Sequence, residues 1–207
     1  DDLDCPFYRL RLAHPLVVDL SYDFEPCWGD VYLWLATLYS EFFTYYEDAE
    51  VNTFHRHRDR AWYGRQAYKY NLLAAEEGFY MAMYRTALFL LDGEVVKADY
   101  DEALSWLKKC EDHCNGMPLY KLGNMYYYPE YGRENAQLAR QYYEAFKEKY
   151  ENDDYNKNVI TQSYAQTLTN LAHLYLQKNT SFYDSRARPM LEKVVFSSFH
   201  VADALYG

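Results

Sequence analysis

The sequence contains no apolar run long enough to cross a bilayer as a helix. Positive charge is in short supply: 21 Lys and Arg stand against 31 Asp and Glu, a formal net charge of −10. That balance argues against nucleic acid and anionic membrane as partners, because both attract a positive surface. It fits a basic protein partner or plain solubility. No G-x-S-x-G, Walker loop or H-E-x-x-H is present. The carboxylate pairs Glu76-Glu77 and Asp153-Asp154 fall at helix ends or breaks, where solvated charge is the ordinary explanation. No enzyme signature stands out, and no cofactor is expected.

Cysteine is sparse but even in number, with 4 residues permitting two bridges. Cys5 and Cys27 flank one N-terminal excursion and are the expected disulfide, closing a loop of about 22 residues worth roughly 3 kcal/mol. Cys110 and Cys114 stand four apart near a helix end, where a bridge needs the helix to fray. The chain opens at Asp1 with neither an initiator methionine nor a signal-like apolar segment, which reads as a removed targeting segment or a trimmed boundary. Together these features favour a periplasmic or secreted address. A cytoplasmic chain with reduced thiols is the alternative.

A hydrophobic content of 50% excludes disorder. Tyrosine is the anomaly, at 25 residues against 4 Trp and 11 Phe. A tyrosine packs its ring and leaves its hydroxyl wet, which suits thin layers of helices and also binding surfaces. Helical spacing dominates the pattern. Residues 29–50 place Val31, Leu35, Leu38 and Phe42 on one stripe, with Trp34 off it. Residues 67–78 carry Ala67, Tyr70, Leu73 and Ala74 at helical spacing, and Gly78 sits where a C-cap belongs. Residues 79–93 are apolar almost all round, as a helix between neighbours should be. A connector with Val95, Val96 and Asp99 leads to Ala103, Leu104, Trp106 and Leu107, and the alternation then begins again. Ala136, Ala139, Tyr143 and Phe146, then Leu168, Leu171, Ala172 and Tyr175, mark further buried faces.

The recurrence itself is the main structural signal. Small residues at Ala67, Ala103, Ala136 and Ala187 are expected to open successive second helices, and Tyr39, Phe89, Tyr126 and Tyr175 to close first helices. A lone helical hairpin cannot bury both faces, so hairpins must stack. The stretch from Ala61 to Tyr143 resembles the Sel-one-like repeat, a relative of the tetratricopeptide repeat. Gly93, Val96, Asp99, Ala103 and Trp106 match its turn and second helix, and Leu122, Gly123 and Tyr126 match its L-G-x-x-Y. The resemblance implies an all-α, right-handed superhelical solenoid of about four hairpins. The expectation is a single repeat domain over 1–207, with an irregular N-terminal cap over 1–28 and repeats over 29–207.

Two clusters invite metal chemistry. His55 and His57 sit among Arg56, Arg58 and Arg60, which would repel a cation, so a basic contact loop or a solvated loop is the better reading. Cys110, His113 and Cys114 have the spacing of one helix face but lack a fourth ligand. No metal is expected at either.

The resemblance implies a protein-binding scaffold, not an enzyme. Some members of the family are periplasmic immunity proteins that neutralise antibacterial lipase toxins, which is the most specific expectation for this chain. Host-directed effectors or adaptors are an alternative, and a hydrolase of the β-lactam-binding, cysteine-rich kind is a second. In stacked hairpins the first helices line the concave side. Trp34, Tyr80, Tyr84, Tyr120, Tyr127 and Tyr128 are therefore the candidate protein-binding residues, with Arg56, Arg58 and Arg60 on the rim.

Overall fold

The computed structural model describes residues 28–48, 60–153, 161–177 and 185–195. Among the described residues every long element is an α-helix and there is no strand. The helices are α1 (Trp28–Asp48), α2 (Arg60–Glu76), α3 (Tyr80–Asp92), α4 (Tyr100–Lys109), α5 (Met117–Tyr127), α6 (Ala136–Asn152), α7 (Gln162–Leu176) and α8 (185–195). The expected cap over 1–28 lies, save for Trp28, outside the described residues, as do Cys5 and Cys27. Within the single repeat domain expected from the sequence, the chain groups into two compact units, Asp1–Cys110 and Glu111–Gly207. All four tryptophans fall in the first.

In the first unit, α1 and α2 pack antiparallel through aromatic rings. Phe42 meets Tyr63 at 5.1 Å, Tyr39 stacks on Tyr70 at 5.5 Å, and Tyr32 stacks on Tyr70 at 6.3 Å. Leu35, Leu38 and Phe42 are buried, as the α1 stripe requires. The turn into α3 is a Schellman closure. Gly78 adopts φ +97, which frees its N–H to donate to the Ala75 carbonyl and lets the Phe79 N–H reach Ala74. α2 begins at Arg60, so Arg60, expected in a loop, belongs to the first turn of a helix. Gly64 lies one turn further on; a Cβ there would come within 2.6 Å of Val95 and 3.0 Å of the Phe43 ring. Deep between α2 and α3, Asn71 and Thr86 are fully buried. The Asn71 Nδ2 donates to the Ala67 carbonyl, while its Oδ1 and the Thr86 hydroxyl have no partner among the described residues.

In the second unit, α5 packs on α6, and α6 on α7 and α8. One core gathers Ala139, Tyr143, Leu171, Ala172, Tyr175 and Ala187; the other gathers Leu119, Phe146, Tyr150, Tyr164 and Leu168. Gly123 permits the close approach of α6, because a Cβ there would stand 2.5 Å from the Tyr143 ring. This explains the glycine of the L-G pair physically.

The repeat is exact at the level of backbone closure. The Asp99 N–H donates to the Leu90 carbonyl and caps α4, its carboxylate accepting from the Asp101 and Glu102 amides. Thirty-six residues on, the Asn135 N–H donates to the Tyr126 carbonyl, and its side chain accepts from Gln137 and Leu138. Ala103 therefore corresponds to Ala139, and Ala67 stands at the same interval before it; all three are fully buried. This corrects the expectation for Ala136, which is exposed one residue after its cap. The cap position, not the first alanine, sets the register.

Candidate protein-binding faces

Each first helix carries a set of residues at i, i+4, i+7 and i+11 that share one side of the helix. On α1 the stripe is Asp30, Trp34, Thr37 and Glu41; on α3 it is Met81, Arg85, Leu88 and Asp92. In the first unit these two helices run side by side in the same direction. A Cβ on Gly29 would strike Phe79, Arg85 Nη1 donates to Thr37 Oγ1 at 2.9 Å, and the Phe43 and Phe89 rings lie 6.4 Å apart. Trp34 is 40% exposed, Tyr80 44% and Met81 45%. Tyr84, by contrast, is buried at 9% and belongs to the core. Arg60 places its guanidinium 3.9 Å over the Phe43 ring and pairs with Glu94. Arg56 and Arg58 lie outside the described residues.

In the second unit the positions at the same spacing are Met117, Lys121 and Asn124 on α5 with Tyr128 just after it, and Gln166, Asn170 and His173 on α7 with Gln177 just after it; Met117 packs against the core and Asn170 is buried. They are joined by a hydrogen-bond network. Tyr143 donates to Asn124 Oδ1 at 2.7 Å, and Asn170 Nδ2 donates to the Tyr143 hydroxyl at 2.9 Å. Gln166 Nε2 donates to Asn170 Oδ1 at 3.0 Å and to the Tyr128 hydroxyl at 3.2 Å. The Tyr127 hydroxyl sits 2.6 Å from His173 Nδ1. Burial pushes the Tyr143 phenol well above its ordinary range, so it remains a neutral donor. Burial also raises Tyr127. Tyr120 packs against Phe146 at 5.7 Å and is half-buried. The structure thus brings Tyr127 and Tyr128 to one face, puts Trp34 and Tyr80 on the other unit's surface, and withdraws Tyr84 and much of Tyr120 into packing. Met81, Arg85, Asn124, Gln166, Asn170 and His173 escape a search for aromatic hot spots. For Met81 and Arg85 the signal is their place off the core face of α3; the polar residues of the second unit carry no such signal.

A cleft between α6, α7 and α8 is lined by Glu144, Lys147, Glu148, Glu151, Tyr175, Arg186 and Met190. Burial pushes the Glu151 carboxyl up, but hydrogen bonds from Lys147, Tyr164 and Lys193 outweigh it and hold the group at about 2. An acid that stays ionised with three donors around it is poorly suited to proton transfer near neutrality. Tyr175 donates likewise to Glu144. These pairs tie the helices together.

The Cys110, His113 and Cys114 spacing does not form one helical face. α4 ends at Lys109, Cys110 takes a non-helical conformation with its buried thiol donating to the Trp106 carbonyl at 3.3 Å, and Cys114 and Asn115 turn left-handed at φ 52. Among the described residues no group of three or more His, Cys, Asp and Glu is placed to hold a metal ion, and no helix is long and apolar enough to cross a membrane.

Capped helices whose closures and buried alanines recur at 36 residues define an all-α helical-repeat chain. No protein-family model and no curated protein matches the sequence. Among solved structures it is similar to the crystal structure of a Sel1 repeat protein from Oxalobacter formigenes, at 17% identity and a TM-score of 0.42, over 76% of this chain and 71% of that one.

Proposed function

We propose that this protein is a non-catalytic scaffold that binds another protein through exposed residues of its first helices. The observation that carries this reading is the exposure of Trp34, Tyr80 and Met81 on adjoining first helices, where packing leaves a large part of each side chain uncovered. Aromatic and methionine side chains bury large area on association at modest entropic cost, and they dominate interface cores.

The finer reading is an immunity protein that neutralises a secreted antibacterial toxin of lipase type, working in the periplasm or outside the cell. It is supported by the Sel-one-like motif, the net charge of −10 and the even cysteine count. The test has two stages. A partner recovered from the native source is purified and titrated with the chain alone, and its hydrolysis of a fluorogenic lipid ester is followed. Stoichiometric binding with loss of lipase activity is expected. A tight binary complex with a partner that is no lipase removes the finer reading and leaves the scaffold. Absence of any binary complex removes both.

A further inference from the structure

We infer that the α1–α3 face of the first unit is a docking ledge for a partner segment that presents an apolar side chain between basic residues. This rests on the protein-binding reading above and specifies its site and its partner's chemistry. The Thr37–Arg85 hydrogen bond fixes the two helices side by side. Trp34 lies one turn before Thr37, and Met81 one turn before Arg85, so the exposed indole and thioether flank the same end of that bond. The surface on that side of the bond is thus apolar, and acids border it along the two stripes: Asp30 stands exposed one turn before Trp34, Glu41 one turn after Thr37, and Asp92 at the end of α3.

No lysine, arginine or histidine occurs anywhere in α1, and the single basic residue of α3 is Arg85, already donating to Thr37. A ligand matching this surface places an apolar group on Trp34 and Met81 and a cation toward Asp30 and Asp92. A second copy of the chain is disfavoured, since it would set these acids against their own kind. Nucleic acid and anionic lipid are disfavoured for the same reason. The net charge of −10 adds long-range attraction for a basic segment, an effect that salt weakens.

The test uses the intact chain and a short fluorescein-labelled peptide with leucine flanked by lysines, read by anisotropy against the same peptide carrying glutamates. The lysine peptide is expected to bind, more weakly as salt rises, and the glutamate peptide not to. Trp34→Ala is expected to weaken binding by about tenfold or more while leaving the melting temperature unchanged, as suits an exposed anchor. The pair Asp30→Asn and Asp92→Asn should weaken both the affinity and its salt dependence, and Gln141→Ala, at an exposed position on α6 of the second unit, should change nothing. Equal binding of the two peptides, or full affinity in Trp34→Ala, overturns the ledge. If a native partner cross-links solely to residues after Cys110, the ledge is wrong while the scaffold reading stands.

Discussion

Thr86 carries a hydroxyl into a fully buried position without a partner among the described residues. An unmet buried polar group costs about 1–3 kcal/mol, and valine has nearly the same shape. Thr86→Val is therefore expected to stabilise the chain by about 1 kcal/mol, measured as a raised midpoint in urea. Gly123 tests the opposite case. Alanine there gains about 1 kcal/mol of helix propensity, but its Cβ would lie 2.5 Å from the Tyr143 ring. Overpacking costs about 1–3 kcal/mol, so Gly123→Ala is expected to destabilise. A stabilised variant would show that α6 moves away freely. At this scale the sequence is legible where residue type and geometry coincide. Gly78 as a left-handed cap, and Ala67 and Ala103 as close-approach sites, are of that kind. Ala136 and Ala139 are both small, and composition does not choose between them. What chooses is Asn135, whose alignment with Asp99 is apparent once capping is weighed above side-chain size.

Helices α6, α7 and α8 are tied by carboxylates that accept from tyrosines and lysines. The Glu151 carboxyl is held at about 2, below its ordinary 4.5, by donors on all three. A depressed carboxylate adds stability that is fully present above pH 4.5 and is lost as pH falls towards 2. Glu151→Gln removes this contribution. The gap in melting temperature between the parent and Glu151→Gln is thus expected to be constant above pH 4.5 and to close as pH drops to 2. A gap that persists at pH 2 would mean that Glu151 acts through packing alone. Periodicity marks α1, α6 and α7 in the sequence, because each keeps an apolar stripe at helical spacing, and α3 is marked by being apolar almost all round. It places the start of α2 too late, since Arg60 looks like the end of a charged loop and yet packs its guanidinium on Phe43. The α7 stripe of Gln166, Asn170 and His173 is equally hidden: carboxamides have no periodic signature until Tyr128 and Tyr143 are seen to hold them.

For the whole molecule, the sequence conveys an all-α repeat and an acidic balance, and both follow from patterns long enough to average out local exceptions. The division into two compact units is not legible, because the 36-residue interval runs through Cys110 without a break in pattern. That division has a spectroscopic consequence. Trp28, Trp34, Trp62 and Trp106 all precede Glu111, whereas tyrosine occurs throughout. Emission excited at the red edge of the indole band therefore reports on the first unit alone, while far-ultraviolet ellipticity sums over every helix. Melted side by side, the two signals give coincident curves if the chain unfolds as one cooperative body. A separation between them would reveal two bodies of unequal stability, distinguished without a label, a mutation or a cut.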